Sequence, residues 1–417
     1  MIVIPTRDRS DLAKNAIQSI LLGQNGCPVT VLVSDNSTLV QQRESLRLFC
    51  EQQQNSRLHY VQPPEPLAMA SHWQWAIEQA LKDFGAKHFI YLTDRMMFKR
   101  SALADVLKVI ARCPEHIVSY NHDRIDDFTR PIRVEQTPGT GELLEVQAEH
   151  LVRLYSKAEL HPSLPRMLNC AVPRTVLEQI ASRFKSVFSS ISPDFNFCCR
   201  ALDTVSAIVF YNASPIFHYA LRRSTGAGAA RGEITPDRAS FFAAVWSGPV
   251  EEVNPITSLL TVGSSIFYEY SKFRQETSSP RFVDLDEDRC LRYIANEMTQ
   301  IQNPSLRDQL RRLLIGRGWT PLNEGASTIS RVQVLLEKAL SPRRVWGKLR
   351  RLSRGPMTKP FWRFLTRNFG LPPPPDCRFE FDEIDQAIRY LNDFPGPGHR
   401  RMSWQEDFLE AKVLPAR

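Results

Sequence analysis

The chain has 417 residues, which is too long for one compact hydrophobic core and predicts at least two domains. Hydrophobic residues make up 42% and charged residues 24%, the ordinary balance of a soluble globular protein, and the net charge is +8. There is no apolar run of about 18 residues, no secretory signal pattern, and no metal-type spacing among the eight cysteines. The sequence therefore predicts a cytoplasmic protein without a membrane span.

Strand-like and helix-like patterns alternate through the first 120 residues. This order predicts a doubly wound parallel sheet with right-handed crossovers, in which ligands bind at the carboxyl ends of the strands. The predicted strands are 2–5, 29–33, 58–61, 88–92 and 117–120, and the predicted helices are 10–22, one ending near 53, 69–84 and 101–111.

The pattern is less regular after residue 126. We expect turns over 126–141, helices at 144–157, 174–184 and from 192, a strand at 205–211, and mainly helices beyond 236, the longest at 256–273. The predicted fold class is α/β, a Rossmann-like mixed sheet flanked by helices with a mostly α-helical C-terminal extension. The predicted domains are 1–232, a helical region 233–340, and a basic, proline-containing extension 341–417.

Polar residues follow the predicted strands where ligands are expected. VIPTRDR occupies 3–9, SDNST 34–38 and YLTDR 91–95, and Ser-Pro-Asp at 192–194 opens a helix. In this order and spacing the four motifs resemble those of family 2 glycosyltransferases with a GT-A fold, over residues 1 to about 230. The resemblance implies a GT-A-type enzyme, a hexosyl- or related transferase, that moves a sugar from a nucleotide-sugar donor to a saccharide or lipid-linked acceptor. It also implies inversion at the anomeric carbon and is compatible with surface polysaccharide assembly.

The resemblance also implies which residues hold the donor. Asp35 would accept hydrogen bonds from the base or ribose, and the alternative is an Asx-turn residue after a strand. The donor-binding residues so predicted are Pro5, Thr6, Arg9, Asp35, Ser37, Thr93, Asp94, Arg95, Arg222 and Arg223.

Asp94 is the predicted ligand of Mg²⁺ or Mn²⁺, which would bridge the diphosphate. The family's pair of carboxylates is reduced to one here, with Thr93 before it and Arg95 after it. Either Asp94 holds a metal with help from elsewhere, or Arg95 supplies part of the missing positive charge, because guanidinium binds phosphate without a metal. The alternative role for Asp94 is that of a helix N-terminal residue beside Arg95.

Asp194 is the predicted catalytic base, which would take the proton from the acceptor hydroxyl. A helix N-terminus is expected to lower the pKa of this carboxylate and so to weaken it as a base. The alternative is that Asp194 only caps the first turn of its helix.

Arg222 and Arg223 precede a small-residue loop at 224–228 that could close over the diphosphate. An ordinary flexible linker is the alternative.

Nine Lys or Arg residues and no Asp or Glu occur between Arg343 and Arg367. The aromatic and aliphatic residues among them over 343–369 favour peripheral binding to an anionic membrane surface, at the inner face of the membrane. A solvated basic face is the alternative, and nucleic acid is the less favoured partner.

Two other functions fit parts of the pattern. A catalytically silent scaffold or binding protein would explain the single carboxylate in YLTDR. A nucleotidyltransferase would have a related sheet, but its glycine-rich loop is missing after the first strand, since no glycine lies between Pro5 and Leu22.

Overall fold

The computed structural model describes residues 1–23, 29–137, 139–224, 261–320, 378–393 and 411–414. The chain divides into two compact units, Met1–Arg317 with Arg378–Arg417, and Gly318–Cys377. Nearly all described residues belong to the first unit, and the predicted basic segment 343–369 lies outside them. Within the described ranges, no helix is long and apolar enough to cross a bilayer.

The first 91 residues form one half of a large sheet. Its strands are β1 (Ile2–Thr6), β2 (Val31–Asp35), β3 (Leu58–Val61) and β4 (His88–Tyr91). The helices between them are α1 (Ser10–Gly23), α2 (Val40–Gln52) and α3 (Met69–Asp83). The strands are parallel in the order β3-β2-β1-β4. The predicted elements of this half are confirmed to within two residues at each end.

The second half of the sheet is mixed. It contains β5 (Met96–Phe98), α4 (Ala102–Arg112), β6 (Val118–Asp126), β7 (Ile132–Glu135), β8 (Leu143–Gln147), α5 (Ala148–Ser156), β9 (Cys170–Pro173), α6 (Arg174–Phe184), α7 (Pro193–Thr204) and β10 (Ala207–His218). Strand β9 is antiparallel to both β4 and β6, and β8 is antiparallel to β10. The predicted α/β class with a mixed sheet flanked by helices is thus confirmed, and the parallel pattern predicted for the first 120 residues holds for β1 to β4.

Two local predictions fail in this half. The helix predicted at 144–157 begins only at Ala148, because the preceding residues form β8 and pair with β10. The turn-rich segment 126–141 contains β7, which pairs with β6. In both places pairing with another strand overrides the local pattern.

The later described residues add four helices and two strands. They are α8 (Val262–Glu276), α9 (Glu287–Glu297), α10 (Pro304–Gly316), β11 (Arg378–Phe381), α11 (Ile384–Asp393) and β12 (Ala411–Val413). Strand β11 pairs with β7, and β12 pairs with β8. The domain boundaries proposed from the sequence stay predictions.

Strands β1 and β2 are buried at every position, so helices cover both faces of this part of the sheet. Their continuous apolar runs end in polar residues at the carboxyl edge, where Thr6 of β1 pairs in register with Asp35 of β2. Since β4 lies on the other side of β1, the residues that follow β4 reach the same edge. The fold therefore gathers the three strand-end motifs at one place.

Candidate active site

Asp94 lies at the carboxyl edge of β1 and β4. The Thr6 hydroxyl donates a hydrogen bond to Asp94 Oδ2 over 2.8 Å, and Arg9 Nε lies 2.9 Å from the same oxygen. The Asp94 side chain has no exposed surface, whereas 26% of the Arg9 side chain is exposed. Arg9 is thus held by a buried carboxylate while part of its guanidinium faces outward.

Arg95, the residue after Asp94, brings a second guanidinium close enough to interact electrostatically with Arg9 and Asp94. Burial lowers the pKa of Arg95 to about 10, with Arg9 acting in the same direction and Asp94 opposing it. Arg95 stays protonated at neutral pH, and it makes no ion pair with any described residue. The Nε atoms of both arginines and Asp94 Oδ1 are buried without a hydrogen-bond partner in the described part of the chain. We call Arg9, Asp94 and Arg95 the arginine centre.

The segment that follows β10 contacts the arginine centre. Arg9 Nη1 donates to the carbonyl of Arg223 over 2.9 Å, and the Arg223 guanidinium binds Asp11 through both Nη atoms. Arg222 instead donates Nε to the carbonyl of Asp127 over 2.8 Å. Both predicted phosphate-binding arginines therefore already have partners, and residues 225–228 of the predicted loop lie outside the described residues.

Asp35 is next to Thr6 across the β1–β2 register but is only 1% exposed. It accepts hydrogen bonds from the Ser37 N–H over 2.9 Å and from the Tyr60 hydroxyl over 2.8 Å. The bond to Ser37 is the Asx turn that the sequence offers as the alternative role. Each carboxylate oxygen can still accept one more hydrogen bond, so the geometry leaves the predicted contact with a ribose open.

The remaining predicted donor-binding residues help to form the carboxyl edge of the sheet through burial or backbone hydrogen bonds. Pro5 is buried within β1, and the Thr93 carbonyl accepts from the N–H of Met96 over 3.0 Å. The Ser37 hydroxyl accepts from the N–H of Asp8 over 2.7 Å. Asp8, which the sequence analysis did not single out, adopts a left-handed φ of 53°.

The Asp8 carboxylate fixes the start of α2. It accepts from the backbone N–H of Thr38 and of Leu39, over 2.9 and 2.8 Å, and from the Thr38 hydroxyl over 2.9 Å. These bonds hold the turns after β1 and β2 together, and the spacing of Asp and Thr in VIPTRDR and SDNST is the sequence signal for them.

Asp194 stands apart from the arginine centre, at the N-terminus of α7. No hydrogen bond or ion pair joins it to Arg9, Asp94 or Arg95 in the described residues. Burial raises the pKa of Asp194 above its ordinary value, against the smaller lowering effects of Arg166 and of the helix N–H groups. The expectation that the helix N-terminus gives this carboxylate a low pKa is therefore wrong, because desolvation outweighs it.

His122 and His218 form a pair of tilted rings. The rings of His122 and His218 are 4.4 Å apart, and His218 Nε2 is buried without a described hydrogen-bond partner. Burial lowers the pKa of both rings, with contributions from Arg166 to each and from Arg95 to His218. Arg166 also acts on Asp194, so one arginine interacts electrostatically with the two histidines and with Asp194.

Glu269 of α8 holds the N-terminus of α7. It is fully buried, and it accepts from the Ser192 N–H over 2.9 Å and from Asn196 Nδ2 over 3.3 Å. Burial raises the pKa of Glu269 to about 7. The sequence analysis missed this residue because nothing local in α8 indicates that it reaches a helix end more than seventy residues earlier.

The described residues fit a divalent cation poorly. No group of three or more His, Cys, Asp or Glu side chains in the described ranges is arranged to hold one. Mg²⁺ often binds through only one or two carboxylates and the substrate phosphates, so the single Asp94 does not decide the matter by number. The charges present disfavour a second cation, because Asp94 is already paired with Arg9 and Arg95 adds a positive charge that Asp127 offsets only in part.

No protein-family model matches the chain, and no curated protein matches it. Among solved structures the chain is similar to S. aureus TarS 1-349 in complex with UDP-GlcNAc, with 13% identity, 74% of this chain and 82% of that chain covered, and a TM-score of 0.41. It is also similar to the mannosyltransferase PcManGT from Pyrobaculum calidifontis in complex with GDP-Man and Mn²⁺, with 14% identity, 83% and 81% covered, and a TM-score of 0.42. These scores are too low to carry a functional inference, so the function is inferred from the geometry of the site.

Proposed function

We propose that the chain is a glycosyltransferase that takes a sugar from a nucleoside diphosphate donor and passes it to a hydroxyl acceptor. The observation that carries this proposal is the arginine centre, where two buried Nε–H groups have no hydrogen-bond partner among the described residues, at the carboxyl edge of parallel strands. Guanidinium groups bind diphosphate oxygens strongly, and fixed positive charge stabilises a diphosphate as it leaves.

Asp194 is proposed to act as the base. As the acceptor oxygen bonds to the anomeric carbon, the bond from that carbon to the diphosphate breaks and the acceptor proton moves to Asp194, with inversion at the carbon. Its raised pKa supports this role, because the carboxylate is a stronger proton acceptor than an exposed aspartate. Arg166 acts electrostatically on both Asp194 and His218, which places these two side chains in one region of the molecule.

The proposed acceptor is a saccharide or a lipid-linked saccharide, in surface polysaccharide assembly. Lipid-linked acceptors would be reached at the cytoplasmic face of a membrane through the basic segment 343–369. Co-sedimentation with anionic vesicles, for chains with and without residues 340–370, tests this. Equal binding to neutral and anionic vesicles would contradict the membrane role.

The activity is tested by following hydrolysis and transfer with a panel of nucleotide sugars. Asp194→Asn is expected to lower turnover by about 10²- to 10⁴-fold, the usual contribution of a general base, while UDP or GDP affinity changes less than about threefold. Asp105→Asn is the matched control, since Asp105 pairs with Lys108 on the surface of α4. Substantial transfer by Asp194→Asn would remove Asp194 from the mechanism.

A silent binding protein is the second candidate, because Asp35 and Asp94 both have intramolecular partners that explain their presence. Nucleoside diphosphate binding without turnover of any donor would favour it.

A further inference from the structure

Two guanidinium groups accompany the one carboxylate of the arginine centre, and Asp127 acts on Arg95 as a further acidic group outside it. A divalent cation placed there would be repelled by both arginines, whereas a diphosphate would be attracted by both. The local charge therefore suits the anion without a metal.

The hydrogen-bond geometry agrees with the charge. Arg9 Nε is 2.9 Å from Asp94 Oδ2, yet its N–H makes no hydrogen bond there. Arg95 Nε is also buried without a described partner. Buried N–H donors without an aligned hydrogen bond are costly in a folded protein, so two of them at one site suit an acceptor that a ligand supplies.

Arg9 is also fixed in position before any ligand arrives. Its Nη1 donates to the carbonyl of Arg223, whose own guanidinium is held by both oxygens of Asp11. An arginine that is already oriented loses little side-chain entropy on binding an anion.

We propose that Arg9 and Arg95 neutralise the donor's diphosphate in place of a divalent cation, so that the donor binds without metal. Asp94 then serves as a positioning residue for Arg9 and not as a metal ligand. This inference rests on the proposed function, because it assigns the donor's phosphates to the arginine centre.

The test is calorimetric binding of UDP and GDP to the full chain, once with EDTA and once with Mn²⁺ or Mg²⁺. Affinities that agree within about twofold are expected. Arg9→Ala and Arg95→Ala should each weaken binding by about tenfold or more, the effect of losing a charge-assisted hydrogen bond. Arg47→Ala, which removes the same charge from the exposed surface of α2, should leave binding unchanged.

Because Arg95 is buried, Arg95→Lys is measured as well, and circular dichroism establishes that each variant is folded. Lysine keeps the charge but loses the planar fork, so an affinity between those of the parent chain and Arg95→Ala is expected. Binding that needs Mn²⁺ or Mg²⁺ and survives both alanine substitutions would overturn the inference while leaving the proposed function standing. Absence of UDP and GDP binding under every condition would overturn both.

Discussion

Two regions of the molecule bury an acidic side chain and treat its charge in opposite ways. In the arginine centre, Asp94 has no exposed surface and faces Arg9 at 2.9 Å. At the start of α7, Glu269 is equally buried but its hydrogen-bond donors are neutral N–H and hydroxyl groups, and burial raises its pKa to about 7 although Lys272 opposes the rise. The first environment holds the Arg9 cation in position, and the second allows the Glu269 carboxyl group to gain or lose a proton near neutral pH.

This contrast assigns different tasks to the two carboxylates. Removal of the Asp94 charge should leave cations uncompensated, whereas removal of the Glu269 charge should relieve a desolvation penalty. The following substitutions test each half of the contrast, beginning with the largest expected effect on stability.

Asp94→Asn keeps an acceptor for the Thr6 hydroxyl but leaves Arg9 beside Arg95 without a counter-charge. We expect a loss of about 3 kcal/mol in the free energy of unfolding, the lower end for a broken buried ion pair, because Arg9 is partly exposed. Denaturant titration measures it. Asp11→Asn, which breaks the exposed pair with Arg223, should cost less than about 1 kcal/mol. Equal effects of the two substitutions would show that burial does not matter here.

Glu269→Gln should change the pH dependence of stability. The folded pKa of about 7 lies above the ordinary 4.5, so the folded protein binds this proton more tightly than the unfolded chain does. Stability from this group is fully present below pH 4.5 and is lost as the pH rises through 7.

Between pH 5 and 8 the loss should be on the order of 2 kcal/mol, and Glu269→Gln should remove that slope. Unfolding at several pH values measures it, with the exposed Glu51→Gln as control. An unchanged slope in Glu269→Gln would contradict the proposed titration.

Tyr60→Phe should have the smallest effect. It removes one of the two hydrogen bonds to the buried Asp35 and should destabilise the protein by about 1 kcal/mol. The control is Tyr211→Phe, whose hydroxyl has no described hydrogen-bond partner, and a change within about 0.5 kcal/mol is expected there. Thermal unfolding of both variants makes the comparison, and a larger effect at Tyr211 would count against it.

Local signals predicted the first half of the fold well. Strand β3 begins and ends at the predicted residues, and α3 ends one residue before the predicted position. Both were predictable because the spacing of hydrophobic residues changes at their ends and residues that interrupt regular structure lie nearby. Strands β8 and β9 could not be predicted in this way. They are recognisable as strands mainly through pairing with β10 and with β4 and β6, which lie far away in the chain.

The residue types of the site could be predicted from the sequence, but the ion-pair and hydrogen-bond partners of those residues could not. Asp35 and Asp94 stand where the strand-end rule puts them, yet the partner of Asp94 is Arg9, 85 positions earlier. Likewise, the position of Asp194 at a helix start was foreseeable, but the direction of its pKa shift was not. That direction depends on burial produced by the tertiary fold, which no window of local sequence contains.

The pairing of the C-terminal strand β12 has a consequence during translation. Strand β12 pairs with β8, and about 260 residues separate them. At roughly 5–20 residues per second, the ribosome leaves that edge of β8 open for on the order of 10–50 seconds. An open strand edge can pair with another chain, so we expect the nascent polypeptide to aggregate most readily in this interval, and a chain truncated before residue 411 to keep that hazard permanently.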